Sequence, residues 1–275
     1  MAMTVDRDRT ATNWREISRS LTSLQVPRSV QADLRASLPG QFQCLLAYGS
    51  WARGDVDEHS DLDVLALNYI SPGKHPIHEN ISFSSYSESQ LRATSGTLFG
   101  YHLKRDGKIL LDRNNDLAQM LASIDSPDPT KVAYRIKGLT PVIDASRRDL
   151  VEHIVGLTKV ARYLLRSALY TKALQDGAPC FSVKEIATRN RDMDLIPLLS
   201  SHKKVQLPAS EETFLELRSR LHELCGGLKS NPFGSLEELA EGTWSSDRDL
   251  SNFAAFALHG FDDEIDYDAL DKVVL

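Results

Sequence analysis

The sequence predicts an α+β fold: a small mixed-sheet domain with N-terminal helices over residues 1–125, then an all-helical domain over residues 126–275. Three observations predict it. Short apolar runs closed by turn residues recur between residues 44 and 112, as buried strands require. From residue 148 onward the apolar residues step by three and four, the mark of helices that bury one stripe. Between the two patterns lies SPDPT (126–130), a Pro- and Asp-containing stretch suited to a boundary.

Each element follows in order. Trp14, Ile17, Leu21 and Leu24 predict a helix over 12–24. Pro27 suits the first turn of a second helix carrying Val30, Leu34 and Leu38, which Pro39-Gly40 closes. Three strands are expected at CLLAY (44–48), at 62–67 with Leu62, Val64, Ala66 and Leu67, and at the alternating ISFSSY (81–86). Residues 88–105 read as one helix, and Asp106-Gly107 turns the chain into a fourth strand, KILLD (108–112). Residues 114–124 and 148–175 are helical, the latter with a stripe of Ile154, Leu157, Ala161, Leu164 and Ala168. Ser182, with Glu185 three residues on, predicts a capped short helix, so Cys180-Phe181 is assigned to structure rather than thiol chemistry. Phe214, Leu217, Leu221 and Leu224 mark a further helix before Gly226-Gly227.

Composition narrows the function classes. Of the 275 residues, 41% are hydrophobic and 25% charged, which fits an ordinary globular protein. No apolar run approaches the ~20 residues of a membrane span, and the first residues are polar, so a cytoplasmic location without a membrane partner is expected. Three widely spaced cysteines, Cys44, Cys180 and Cys225, argue against both a disulfide framework and structural zinc. The net charge of −6 is concentrated late: residues 231–275 hold eleven Asp/Glu against two Lys/Arg. The rest is nearly neutral and could still present a local basic groove to phosphates.

The chemistry concentrates in LLAYGSWARGDVDEHSDLDVLAL (45–67). Aspartate is a poor strand former, yet Asp61 and Asp63 sit in an apolar run. Residues two apart on a strand share a face, about 7 Å apart along the backbone. Two carboxylates placed so repel unless a cation neutralises them. A hard ion such as Mg²⁺ would, since it binds one or two carboxylates plus substrate phosphates. Gly49-Ser50 ends the preceding strand: glycine admits a phosphate close to the backbone, and the serine hydroxyl and nearby N–H groups can donate to it. A phosphate cradle and a carboxylate pair at one sheet edge suit nucleotidyl transfer assisted by two metal ions.

Gly49-Ser50, ten residues, then Asp61-Leu62-Asp63 resembles the signature of the DNA polymerase β-type nucleotidyltransferase superfamily. GSWARG…SDLDV is similar, more narrowly, to minimal nucleotidyltransferases and antibiotic nucleotidyltransferases, and GTLFGYHLKRDGKILLD resembles the helix and strand that close the minimal domain. The resemblance implies that Gly49 and Ser50 hold nucleotide phosphates and that Asp61 and Asp63 bind the catalytic metals. It also implies that Arg53 touches a phosphate and that Ser60 caps or orients the turn. The superfamily usually adds a third carboxylate from a neighbouring strand. That strand should be ISFSSY, which carries serines instead. Glu79 is the first candidate to replace it; Glu88, Asp106 and Asp112 are read as turn or cap residues.

These readings imply a Mg²⁺-dependent nucleotidyltransferase moving AMP from an NTP to a hydroxyl of a small molecule or a protein. The helical half is expected to select the acceptor, and an RNA end is disfavoured by the acidic balance. One alternative is a degenerate nucleotide-binding or partner module. Another is a toxin–antitoxin component, because RDLVEH (148–153) is similar to the Arg-x₄-His signature of HEPN ribonucleases, although Asp149 and Glu152 also suit a plain helix start. His102, Lys104 and Arg105 are read as packing or solvated helix-end residues with a possible substrate contact, and His202-Lys203-Lys204 as surface.

Overall fold

A computed structural model describes residues 3–38, 42–68, 80–200, 205–259 and 275, of which 3–12 are described in backbone only. The chain divides into two compact units, Met1–Ser126 and Pro127–Leu275. The first is α+β and the second helical, so the class expected from the sequence stands.

The first unit runs α1 (Met3–Ser23), α2 (Arg28–Ser37), β1 (Cys44–Tyr48), α3 (Gly49–Arg53), β2 (Leu62–Leu67), β3 (Ile81–Tyr86), α4 (Glu88–Ala93), α5 (Leu98–Asp106), β4 (Lys108–Asp112) and α6 (Asp116–Ser123). Its sheet is mixed, in the order β3-β2-β1-β4: β1 pairs antiparallel with β2 and β4, and β2 pairs parallel with β3. Residues directly opposite across a sheet share a face. On one face Leu45, Ala47, Leu62, Val64, Ala66 and Ile81 pack with Ile17, Leu21 and Leu34 of α1 and α2. On the other, Cys44, Leu46, Leu65, Leu67 and Tyr86 pack with Leu91, Leu103, Leu117 and Met120 of α4 to α6. This two-sided burial explains why β2 is apolar on both parities from Val64 onward, as a central strand must be.

Two local expectations change. Residues 88–105 are two helices, not one. Ser87 caps α4 in a capping box with Gln90, and the chain then turns through Thr94 to Gly96, where Gly96 has φ +75° and Thr97 caps α5. Pro27 is the N-cap of α2 rather than a residue of its first turn.

The second unit runs α7 (Pro129–Leu139), α8 (Arg147–Gln175), α9 (Val183–Asn190), α10 (Leu195–Leu199), α11 (Glu211–Leu224), α12 (Leu236–Thr243) and α13 (Arg248–His259), with a 3₁₀ turn over Thr140–Ile143. SPDPT is not merely a linker: Asp128 caps α7 by accepting from the N–H groups of Thr130 and Lys131, and Pro129 fills the first turn. The long helix α8 buries Leu157, Ala161, Leu164 and Ala168 as its stripe predicts, while Ile154 is half-buried. Its buried Arg162 donates to the carbonyls of Leu198 and Leu207 and to Gln206.

Candidate active site

The site is assembled where β1 ends and β2 begins. The chain leaves β1 at Tyr48, turns through Gly49 in the left-handed region (φ +72°), and forms the single turn of α3. It leaves α3 through Gly54, also left-handed, and Arg53 Nε pairs with Asp55 at 3.2 Å. The loop back to β2 is tied by Asp57. Its carboxylate accepts from the His59 N–H and from the Ser60 hydroxyl, and Ser60 Oγ accepts in turn from the Asp57 N–H. Trp51 donates its indole N–H to the Ser60 carbonyl at 3.4 Å. Ser60 therefore orients the turn that delivers Asp61.

Tyr48 stands opposite Asp63 in the β1–β2 register, and Asp63 stands opposite Ser82 in the β2–β3 register. All three share the face covered further along by α4 to α6. The Tyr48 hydroxyl is hydrogen-bonded to Ser84, one step along the same face of β3. Its phenol is pushed well above the ordinary range, first by burial and then by the negative charges of Asp63 and Asp61. Of the two charges, that of Asp63 is felt more strongly than that of Asp61.

Gly49 closes the arrangement. A Cβ built on it would lie 2.0 Å from Asp63 Oδ2. The backbone of the Gly-Ser turn touches the strand carboxylate, which no residue with a side chain permits. Gly49 and Asp63 are therefore brought together, Ser50 directly follows Gly49, Asp61 precedes Asp63 by two residues, and Arg53 lies one helical turn on, 17% exposed.

The described candidates for a third carboxylate are engaged with other partners. Glu79 falls outside the described residues. Glu88 accepts from the Asn68 amide at 3.4 Å. Asp112 accepts from the Cys44 thiol and the Ala118 N–H, joining β1 and β4 to α6. Asp106 ends α5 beside Arg105. Among the described residues no group of three His, Cys, Asp or Glu side chains could hold a metal ion. Two carboxylates still fit a Mg²⁺ that takes its remaining oxygens from phosphates and water.

The other candidates have structural work. Lys104 donates to the carbonyls of Ala122 and Ile124 at the end of α6. Arg148 is exposed and pairs with Glu152 one turn on, while His153 interrupts α8 with non-helical backbone (φ −124°, ψ 24°). Burial pushes the Cys180 thiol up to about 11 and the Cys44 thiol up to about 12, so neither is a nucleophile near neutral pH. Ser182 caps α9 by accepting from the Glu185 N–H, as expected. His202-Lys203-Lys204 lies outside the described residues.

The sequence reading missed Tyr48, and it read His102 as a packing or solvated residue with a possible substrate contact, without the Arg53 contact that the structure gives it. Tyr48 had a usable signal: it directly precedes the Gly-Ser turn, so its side chain faces Asp63 once the two strands pair. Comparison of the chain with protein-family models and with curated proteins returns no match.

Proposed function

We propose that the chain is a Mg²⁺-dependent nucleotidyltransferase that moves a nucleoside monophosphate, AMP as the first choice, from an NTP to a hydroxyl of a small molecule or a protein. The observation that carries the reading is the contact between Gly49 and Asp63. A left-handed glycine pressed against a strand carboxylate supports reading the turn as a phosphate cradle beside a carboxylate able to bind metal. In this reading Gly49 and Ser50 hold the triphosphate through backbone N–H groups and the Ser50 hydroxyl. Arg53 adds a positive charge beside it, and Asp61 and Asp63 hold Mg²⁺. The metal supplies charge compensation on the phosphates. The acceptor oxygen bonds to the α-phosphorus as the bond from that phosphorus to pyrophosphate breaks, and the acceptor proton leaves to solvent or a base.

A second reading, a nucleotide-binding module without turnover, is favoured by Ser82 and Ser84 standing on β3 where an acid would complete the metal site. Incubation with α-labelled ATP, Mg²⁺ and candidate acceptors separates the two, since only the enzyme yields labelled acceptor and pyrophosphate. Asp61→Asn and Asp63→Asn should abolish Mg²⁺-dependent ATP binding. Unchanged binding in both variants would remove the site assignment altogether. The HEPN-like reading has its own test: RNA cleavage lost in His153→Ala.

A further inference from the structure

We infer that His102 is a positioning residue whose imidazole holds the Arg53 guanidinium ready for a nucleotide phosphate, an inference that rests on the nucleotidyltransferase reading. Arg53 Nη1 lies 3.1 Å from His102 Nε2. Arginine has donors only and stays protonated, so the histidine nitrogen must be the acceptor. His102 is therefore neutral in this contact, with its proton on Nδ1. An ordinary surface arginine would not be held this way: both side chains are largely buried, 17% exposed for Arg53 and 16% for His102.

The nearer contact of Nε2 is with Arg53. Asp106 Oδ2 is 3.7 Å from the same Nε2, beyond hydrogen-bond distance. An Nε2–H tautomer would turn toward that carboxylate and give up Arg53. The His102 ring also meets the Tyr48 ring edge to face, with centroids 6.1 Å apart. Tyr48 in turn stands opposite Asp63. One chain of contacts thus runs from the carboxylate through Tyr48 and His102 to Arg53. With Nε on Asp55 and Nη1 on His102, the guanidinium is fixed at two nitrogens and offers Nη2 to a phosphate oxygen.

The test has two independent arms. In the nucleotide-free protein, ¹⁵N chemical shifts of the imidazole at neutral pH should report protonation at Nδ1 in the wild type, with a shift toward Nε2 protonation in Arg53→Met. In the second arm, calorimetric titration with ATP·Mg²⁺ compares Arg53→Met, His102→Met and His102→Gln. Methionine fills the ring's space without an acceptor, whereas the glutamine oxygen reaches the position of Nε2. His102→Met should weaken ATP·Mg²⁺ binding about tenfold, a loss of ~1.4 kcal/mol. His102→Gln should stay close to wild type, and the Arg53→Met/His102→Met pair should bind no worse than Arg53→Met alone. An Nε2-protonated imidazole in the wild type overturns the role of His102 whatever ATP does. Equal losses in the Met and Gln variants overturn it too, because they show packing rather than hydrogen bonding. A wild type that binds no ATP·Mg²⁺ instead overturns the nucleotidyltransferase reading and the phosphate role of Arg53 with it.

Discussion

Gly49 and Asp63 occupy one shared space: a single methyl group on the glycine would stand 2.0 Å from the carboxylate oxygen. Fourteen positions separate them in sequence, yet the antiparallel pairing of β1 with β2 places Tyr48 directly opposite Asp63, and the next residue must turn across it. The turn needs φ +72°, which costs a residue with a Cβ about 1–2 kcal/mol even before the clash.

Gly49→Ala should therefore fold with reduced stability and lose ATP·Mg²⁺ binding by more than about a hundredfold, over ~2.7 kcal/mol. Asp63→Ala removes the clashing oxygen. In the double variant part of the stability lost in Gly49→Ala should return, while binding stays absent. Urea denaturation and calorimetry read the two quantities separately. Additive stability losses would mean that the two residues do not touch.

Much of this geometry was legible because it is written in residues that contradict their local context. A Gly-Ser pair closing an apolar strand, one aspartate inside the next strand and another just before it stand out from the apolar run around them. Strand positions were legible for the same reason that a central strand is apolar on both parities. Lys104, Asp112 and Asp106 were harder. Each sits at an element end, where capping, solvation and catalysis use the same residue types, and only the partner decides. Lys104 turned out to hold the α6 carbonyls, and Asp112 the start of α6. The Arg53–His102 contact spans 49 positions with no periodicity to announce it. The split of residues 88–105 was lost for a different reason: Thr94-Ser95-Gly96-Thr97 both stops one helix and caps the next, and the apolar spacing carries across it.

Ser82→Asp places an acid opposite Asp63 on β3. Without metal, a second carboxylate directly across from Asp63 should lower the thermal midpoint through repulsion. With Mg²⁺ or Mn²⁺ the variant should gain more stability than wild type, because the ion binds only the folded site. Metal titration followed by thermal unfolding reads both signs. A variant stabilised in the absence of metal would show that the introduced carboxylate points away from Asp63.

Asp106 predicts a pH dependence. It is 9% exposed, ends a helix where the dipole disfavours negative charge, and its Oδ2 has no hydrogen-bond partner among the described residues. Burial raises its carboxyl above the ordinary 3.8, with Arg105, Arg53 and Lys108 partly opposing. A raised value means that the folded state holds the proton more tightly. The contribution to stability is therefore present below the unfolded value and lost as pH rises through the folded one. Asp106→Asn should be more stable than wild type by about 1 kcal/mol at neutral pH, with the difference vanishing in acid. Urea midpoints between about pH 3 and 7 check it. A less stable variant at neutral pH would show that Arg105 and its neighbours fully compensate the charge.

The helical unit offers the same substitution twice with opposite signs. Gly156 lies in α8 where a Cβ would come within 2.1 Å of the Ala257 carbonyl oxygen of α13. Gly138, near the end of α7, has nothing within 4 Å of that position. Alanine is the better helix former by about 1 kcal/mol, so propensity alone favours both changes. At Gly138 nothing opposes it, and Gly138→Ala should raise the thermal midpoint slightly. At Gly156 the obstacle is backbone, which cannot rotate aside, so the two helices must separate. Overpacking of that kind costs about 1–3 kcal/mol, enough to outweigh propensity, and Gly156→Ala should lower the midpoint. Thermal unfolding of the two variants side by side decides the matter. A stabilised Gly156→Ala would mean that α8 and α13 are held further apart than a glycine contact requires.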